Sequence, residues 1–310
     1  ADGSSNVNGP TTAMLPGSLS AVASLLLRCR SVGVLSGAGA SVAAGIPDFR
    51  SPTGMYATLP VDQLTCTERQ HALIRADPTC VVERGMFGAN QFTYLEVRRP
   101  FILGTHESKW KATAAHLLFE RLHALGKLRR LYTQNIDGLD LQTQIPRDKI
   151  DCVHGTLGRA LCEACESEAD HGRFAELVRA NIKDIYDVNT SAPPESSHIT
   201  CSACGRPTVE LSTVLFGSPL PEEFFERLEE DIPALDLLLI VGTFLVVSPS
   251  NRVAALARCT RVVINNEPVG HRLALSYGEL MAGEQSASQR DIFLQGDCED
   301  ICSQLLARLQ

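Results

Sequence analysis

The sequence predicts an α/β protein: a doubly wound parallel sheet with a smaller unit made of a four-cysteine module and a helical insertion. Three observations carry that expectation. Short apolar runs ending in glycine or polar residues alternate with helical patterns, as buried parallel strands and their crossover helices do. A glycine-rich turn, Gly37-Ala38-Gly39-Ala40-Ser41, directly follows the first run. Two C-x-x-C pairs, Cys162/Cys165 and Cys201/Cys204, interrupt the alternation.

Each element follows from its pattern. Residues 32–35, 128–132, 237–241, 262–264 and 292–294 are apolar runs of strand length. Residues 112–125 repeat apolar side chains at helical spacing and stop at Gly126. Residues 221–228 open with Pro221 and early glutamates. Proline is preset for a first helical turn, and acids suit its positive end. Residues 250–258 and 298–309 are also helical in pattern. Residues 53–105 show no clear strand and read as a helical insertion with a cofactor loop. Residues 161–207 carry the cysteine pairs and, between them, a polar stretch at 187–198 that reads as flexible. Residues 1–18 read as a disordered lead. The expected division is 19–52, 106–160 and 208–310 for the sheet, 53–105 for the insertion and 161–207 for the cysteine module.

The 310 residues are 44% hydrophobic and 21% charged, which allows a sizeable core. A net charge of −8 argues against direct nucleic-acid binding by bulk electrostatics. The basic runs Arg28-Cys29-Arg30 and Lys127-Leu128-Arg129-Arg130 flank expected strands and read as solvated helix ends. No apolar run approaches the roughly 20 residues of a membrane span, so no membrane partner is expected. Eleven cysteines, an odd number in a chain of this size, disfavour a disulfide framework and fit a reducing compartment. No secretory or transit pattern is visible, so the cytoplasm or nucleus is expected before the mitochondrion.

A strand running into a glycine turn exposes backbone N–H groups, and a following helix would make that end partly positive. A pyrophosphate fits where no Cβ blocks its approach. Alone, the pattern suits plain packing as well as a dinucleotide. Pro47-Asp48-Phe49-Arg50 adds an acid, a ring and a guanidinium just beyond it; a surface loop with a buried Phe is the other reading. Two C-x-x-C hairpins can place four thiolates at the corners of a tetrahedron, as in a closed structural zinc site. Two disulfides, a redox pair or coincidence compete with that reading. Val153-His154-Gly155 reads equally as a core histidine or a base. Gln134-Asn135-Ile136-Asp137 closes an expected strand, where such sheets bind ligands, or is simply a turn. His116 and His123 lie among apolar neighbours and read as structural.

Taken together, these motifs resemble the sirtuins. Leu215-Phe216-Gly217, Gly242-Thr243-Phe244-Leu245, Ile264-Asn265-Asn266-Glu267-Pro268 and Gly296-Asp297-Cys298 follow in that family's order. The resemblance runs from about Leu19 to the C-terminus. It implies an NAD-dependent protein lysine deacylase, usually a deacetylase, with ADP-ribosyl transfer as a side or alternative activity. It implies a Rossmann-like large domain, NAD as cofactor and Zn2+ held by Cys162, Cys165, Cys201 and Cys204. An acyl-lysine protein or peptide would be the partner, with histones and tubulin among the candidates. His154 matches the family's catalytic base. Asn135 would orient the ribose, and Asp137 would hold nicotinamide. Phe49 would cover the reacting ribose. Arg50, with Asp48 beside it, would contact phosphate or ribose. The resemblance places Gly37, Ala38, Gly39, Ser41, Gln134, Gly242 and Thr243 around the cofactor. It puts Asn265 and Glu267 at the adenosine ribose and Cys298 at adenine through its backbone. Phe216, Gly217 and Val246 would meet the peptide.

Two positions depart from the family pattern. Phe244 stands where Ser is common, and Ser218 where Glu is common. They put catalytic rate and peptide preference in more doubt than NAD binding, and they keep a mono-ADP-ribosyltransferase with weak deacylase activity as the alternative. A non-catalytic zinc module is a third reading; the joint presence of His154, Asn135, Asp137 and Phe49 argues against it. Tyr94 and Arg98 are four residues apart rather than the three that acidic-acyl members use. Acetyl or longer apolar acyl groups are therefore expected over succinyl.

Overall fold

The computed structural model describes residues 16–46, 55–277 and 290–310. Its first half runs α1 (Pro16–Arg28), β1 (Val32–Ser36), α2 (Glu68–Ala76), α3 (Arg84–Ala89), α4 (Gln91–His106), α5 (Ala114–Ala124), β2 (Leu128–Thr133) and β3 (Ile150–Cys152). The middle holds β4 (Gly155–Cys162), β5 (Glu168–Ala169), α6 (His171–Asn181) and β6 (Val209–Thr213). The rest is α7 (Glu222–Asp231), β7 (Leu237–Val241), α8 (Arg252–Leu256), β8 (Thr260–Asn265), β9 (Asp291–Gln295) and α9 (Cys298–Arg308).

Among the described residues the main sheet has six strands in the order β3-β2-β1-β7-β8-β9. Every neighbouring pair is parallel. The chain leaves β1 toward β2 and β3, then returns to β7 on the other side, so the order reverses between β1 and β7. A ligand crevice opens at the carboxyl ends of the strands at such a reversal. Both central strands are buried along their whole length, which is why they read as unbroken apolar runs. One face packs on α1, α5 and α9 through residues such as Leu26, Phe119 and Leu305. The other packs on α7 and α8 through Phe224, Leu228 and Val253. A third core joins α2, α3, α4 and α6 to a small antiparallel sheet, ordered β5-β4-β6.

Several expectations change. The lead is shorter than 1–18, because α1 already begins at Pro16; residues 1–15 lie outside the described ones. Residues 250–258 condense to the five-residue α8. β3 was not foreseen: it is three residues long with an acid at its centre, and Asp151 there is paired with Arg227 at 3.4 Å. α6 was hidden by the cysteine spacing around it. Its signals are an Asp170 cap on the Arg173 N–H and buried Phe174, Ala175 and Val178 at helical spacing. The 187–198 stretch is tied down rather than loose. Asp184 accepts from the Tyr186, Val188 and Asn189 N–H groups, and Ser196 Oγ donates to buried Glu96 at 2.6 Å. The run from Lys127 to Arg130 is not a solvated end. Arg129 and Arg130 both bind Asp231, which is fully buried and also accepts from the Tyr132 hydroxyl. Lys127 Nζ donates to the Leu27 and Cys29 carbonyls.

Candidate active site and metal centre

The turn after β1 contains two short 3₁₀ segments, Ala38–Ala40 and Val42–Ala44, instead of the expected helix. Among the described residues no α-helix dipole points at the crevice from this turn, which offers backbone groups and the Ser41 hydroxyl. Its glycines answer first to the facing strand end. Gly242 has φ +62°, and a Cβ on it would stand 2.5 Å from Ala40 N and from Gly39 Cα. Gly37 and Gly39 would in turn strike Thr243 Cβ and Gly242 Cα, each at 2.6 Å. The turns after β1 and β7 therefore touch backbone to backbone, and the Gly39 N–H donates to Gly242 O at 2.8 Å. Ala38 sits within this turn.

The end of β2 enters the same place. Gln134 Nε2 donates to Thr243 Oγ1 at 3.0 Å and Ser36 O at 3.3 Å. Thr243 Oγ1 also accepts from the Leu245 N–H at 3.2 Å. With two bonds accepted, the Thr243 hydroxyl keeps its own hydrogen to donate to an anion. Asn135 Nδ2 donates to Gly37 O and Ser41 Oγ, both at 3.0 Å, which turns its Oδ1 into the atom that can meet a ligand hydroxyl. Ser250 is a member the sequence reading missed. It is fully buried, and its Oγ lies 3.2 Å from Gln134 Oε1 and 3.0 Å from Val247 O. A lone serine in a loop carries no sequence signal for this.

His154 lies between this crevice and the small sheet. Its Nδ1 is 3.0 Å from Gln134 O. A carbonyl only accepts, so Nδ1 carries the hydrogen and Nε2 the lone pair. The His154 carbonyl accepts from the Val214 N–H at 2.9 Å. Gly155 permits that crossing: its φ is +77°, and a Cβ would lie 2.1 Å from Ser212 O. The histidine is thus gripped by β2 on one side and by β6 on the other.

Around the rim, Asn265 is buried; its Nδ2 donates to Thr243 O at 3.1 Å and its Oδ1 accepts from the Asn266 N–H at 2.8 Å. It ties the end of β8 to the β7 turn. Glu267 beyond it is exposed. Cys298 is buried with Sγ toward Ile264 O at 3.8 Å, and Asp297 caps α9 before it. Phe244, Val246 and Phe216 are exposed. Phe216 also pairs inward: its N–H donates to Val82 O at 3.0 Å, and its carbonyl accepts from the Arg84 N–H at 3.1 Å. Gly217 follows with φ +86°. Tyr94 and Arg98 are buried on α4, the Tyr94 hydroxyl 3.4 Å from Thr213 Oγ1. Asp48, Phe49 and Arg50 lie outside the described residues.

The four cysteines converge. Cys162 Sγ is 3.7 Å from Cys204 Sγ, and Cys165 Sγ is 3.8 Å from Cys201 Sγ. All four sulfurs lie within 4.8 Å of one another. A tetrahedron with Zn–S near 2.3 Å has sulfur–sulfur edges of about 3.8 Å. No disulfide forms among them. The Ser167 hydroxyl, with the Cys204 and Ala203 N–H groups, pushes the Cys201 thiol down to about 6, and Ser167 also lowers Cys165. Cys204, despite the Arg206 N–H, is pushed up to about 11 by burial and the other thiols, so a cation is what would complete its ionisation. The residues fit structural zinc, and four ligands close the site.

A reversal crevice lined by Gly37, Gln134, Thr243 and Asn265, a tautomer-fixed histidine and a closed four-thiolate centre define a dinucleotide-using enzyme with a structural metal module. The chain belongs to the Sir2 family, whose model matches residues 37–249. It is 32% identical over 289 residues to the NAD-dependent protein deacetylase hst2 of Schizosaccharomyces pombe, covering 91% of this chain and 73% of that protein. It is 32% identical over 286 residues to the NAD-dependent deacetylase sir2A of Dictyostelium discoideum, covering 91% of this chain but 49% of that protein. A solved structure from work on the mechanism and regulation of Sir2 enzymes superposes with a TM-score of 0.66 at 21% identity, over 95% of this chain and 98% of that one. It shares the fold. NAD is the family's cofactor, and the crevice fits it.

Proposed function

We propose that this chain removes acetyl, or longer apolar acyl, groups from protein lysines with consumption of NAD, giving nicotinamide and O-acyl-ADP-ribose. NAD, when bound, supplies a ribose carbon from which nicotinamide can leave. The observation that carries the reading is the His154 geometry: Gln134 O takes the Nδ1 hydrogen, so the role of general base falls to Nε2. Gly37, Gly39, Ser41 and Gly242 shape the phosphate turn, and the Thr243 hydroxyl donates to it. Asn135 offers Oδ1 to a sugar hydroxyl. Asp137 offers a carboxylate to the N–H groups of nicotinamide. Phe216 uses its own backbone on the 82–84 turn, so a peptide pairs through Gly217 and on the opposite side with Val246. Histone and tubulin peptides are the first substrates to test, with the nucleus and cytoplasm as the corresponding compartments. Phe244 keeps the second reading: its ring is 60% exposed beside Thr243, where a small hydroxyl is the family habit.

The test is nicotinamide release from labelled NAD, with and without an acetyl-lysine peptide. Peptide-dependent release that disappears in His154→Ala is expected. Peptide-independent release, or label left on protein, would replace the deacylase reading with NAD hydrolysis or ADP-ribosyl transfer.

A further inference from the structure

Behind the crevice lies a closed cluster of which the mechanism above uses only Asp137. His116 on α5, Asp137, and Asp140 just after it are 0%, 9% and 2% exposed. Their ligand atoms lie within 4.8 Å of one another. His116 Nε2 is 3.7 Å from Asp140 Oδ1, and neither atom has a hydrogen-bond partner among the described residues.

The histidine is held by its other nitrogen. The Thr113 backbone N–H donates to His116 Nδ1 at 3.1 Å. The Thr113 hydroxyl, which donates to Ala40 O at 2.6 Å, also lies 2.8 Å from Nδ1, so one residue anchors that nitrogen through both its main chain and its side chain. Burial pushes the His116 imidazole below its ordinary value, which favours the neutral ring.

Two carboxyls are then buried side by side. The other titratable groups facing them are acidic: Cys152 on β3, with Arg159 behind it, and Glu299 on α9. No lysine or arginine forms an ion pair with either carboxyl among the described residues. Two unpaired carboxylates within 4.8 Å of each other disfavour double ionisation in a buried site, so the pair holds a proton to higher pH than free carboxyls do. Asp137 has the stronger claim to the charge. Its Oδ1 accepts from the Leu139 N–H at 2.9 Å, and the Ser41 hydroxyl also favours its charged form. Asp140 has only the Thr133 hydroxyl.

We propose that Asp140 is a positioning residue: a carboxyl that holds the shared proton beneath Asp137, so that Asp137 alone presents a single negative charge to the N–H groups of the nicotinamide end. The proposal rests on the reading of Asp137 given above. Burial pushes Asp140 up to about 6, and burial and then Asp140 push Asp137 upward. Loss of the shared proton at higher pH makes the two carboxylates repel and moves Asp137 out of line.

Asp140→Asn copies the protonated carboxyl and cannot ionise. The sign is fixed by linkage: a carboxyl raised on folding loses stability as pH climbs from its unfolded value, near 4, through its folded one. Asp140→Asn should therefore raise Tm at pH 8, and the gain should vanish at pH 4. In the wild type, inhibition by nicotinamide should weaken at least threefold between pH 6 and pH 8.5; in Asp140→Asn it should stay flat. An equal Tm difference at both pH values, or an unflattened inhibition profile, would overturn the proposal. If the Tm pattern appears but the wild type shows no response to nicotinamide at any pH, the pocket assignment fails and takes this proposal with it. Thermal unfolding reads the proton without any activity, so the two failures are told apart.

Discussion

The chain holds two clusters of ligand-type side chains, and their neighbours give them opposite chemistry. The four thiols stand at contacts of 3.7 and 3.8 Å, and the Ala203 N–H and Ser167 hydroxyl approach them from outside. Donors on the outside stabilise thiolates and leave their lone pairs pointing inward for a cation. The cluster of His116, Asp137 and Asp140 is as compact, within the same 4.8 Å. There no such donors ring the set: His116 Nε2 and Asp140 Oδ1 have no hydrogen-bond partner among the described residues, and burial raises both carboxyls so that they favour protons. Residue type and spacing nominate both clusters for a metal. The hydrogen bonds around them separate the two.

The largest effect expected is at the thiol cluster. Cys201→Ser should abolish zinc content by metal analysis and remove cooperative unfolding of the module. Structural zinc in small modules contributes an apparent 10–16 kcal/mol or so. Activity should vanish with it, because β4 and β6 run from this cluster to both sides of His154. Retained zinc and full activity would remove the distinction drawn above.

His154→Ala should lower kcat by about 10²–10⁴, the range for a general base, with Tm nearly unchanged. A fall in Tm as large as that of Cys201→Ser would make this histidine a part of the module's fold instead. Gly242→Ala comes next. A Cβ 2.5 Å from Ala40 N must push the β1 and β7 turns apart, and the KM for NAD should rise at least tenfold while zinc content stays constant.

The smallest effect isolates the proton argument. Glu210 on β6 is 2% exposed, and burial, then Glu163, push its carboxyl up to about 9. Its folded value lies above its unfolded one, so stability falls as pH rises between roughly 4.5 and 9. Glu210→Gln should add about 3 kcal/mol at pH 7, at roughly 1.36 kcal/mol per pH unit above the unfolded value, and nothing near pH 4. Nicotinamide inhibition should keep its wild-type pH profile in this variant, in contrast to Asp140→Asn. A changed profile would mean that any buried acid moves the pocket.

Much of the fold was legible where one physical cause dominates a segment. The central strands, β1 and β7, are buried on both faces, and only unbroken apolar runs survive there. The helix of residues 114–124 announces itself by spacing and by Gly126 after it. The cysteine pairs could be read because four thiols at that spacing have few other uses. The edge strand β3 and helix α6 were not legible, because their stability comes from partners far along the chain: Arg227 for Asp151, and the third core for Phe174 and Val178. The basic run at 127–130 misled for the same reason, since Asp231 is about a hundred residues away.

The site divides along the same line. The residues of the crevice, His154, Asn135, Gln134 and Thr243, are named by local motifs, because a turn, a strand end and a glycine approach are set within a few residues. The sequence by itself determined the strand and helix order, the thiol set and the list of groups that can meet a dinucleotide. Only the tertiary structure decided which nitrogen of His154 faces the Gln134 carbonyl, that Gly242 yields to Gly39, and that Asp140 lies beside Asp137. Those facts depend on hydrogen-bond partners brought together by packing, and a tautomer or a shared proton has no signature in the order of residues.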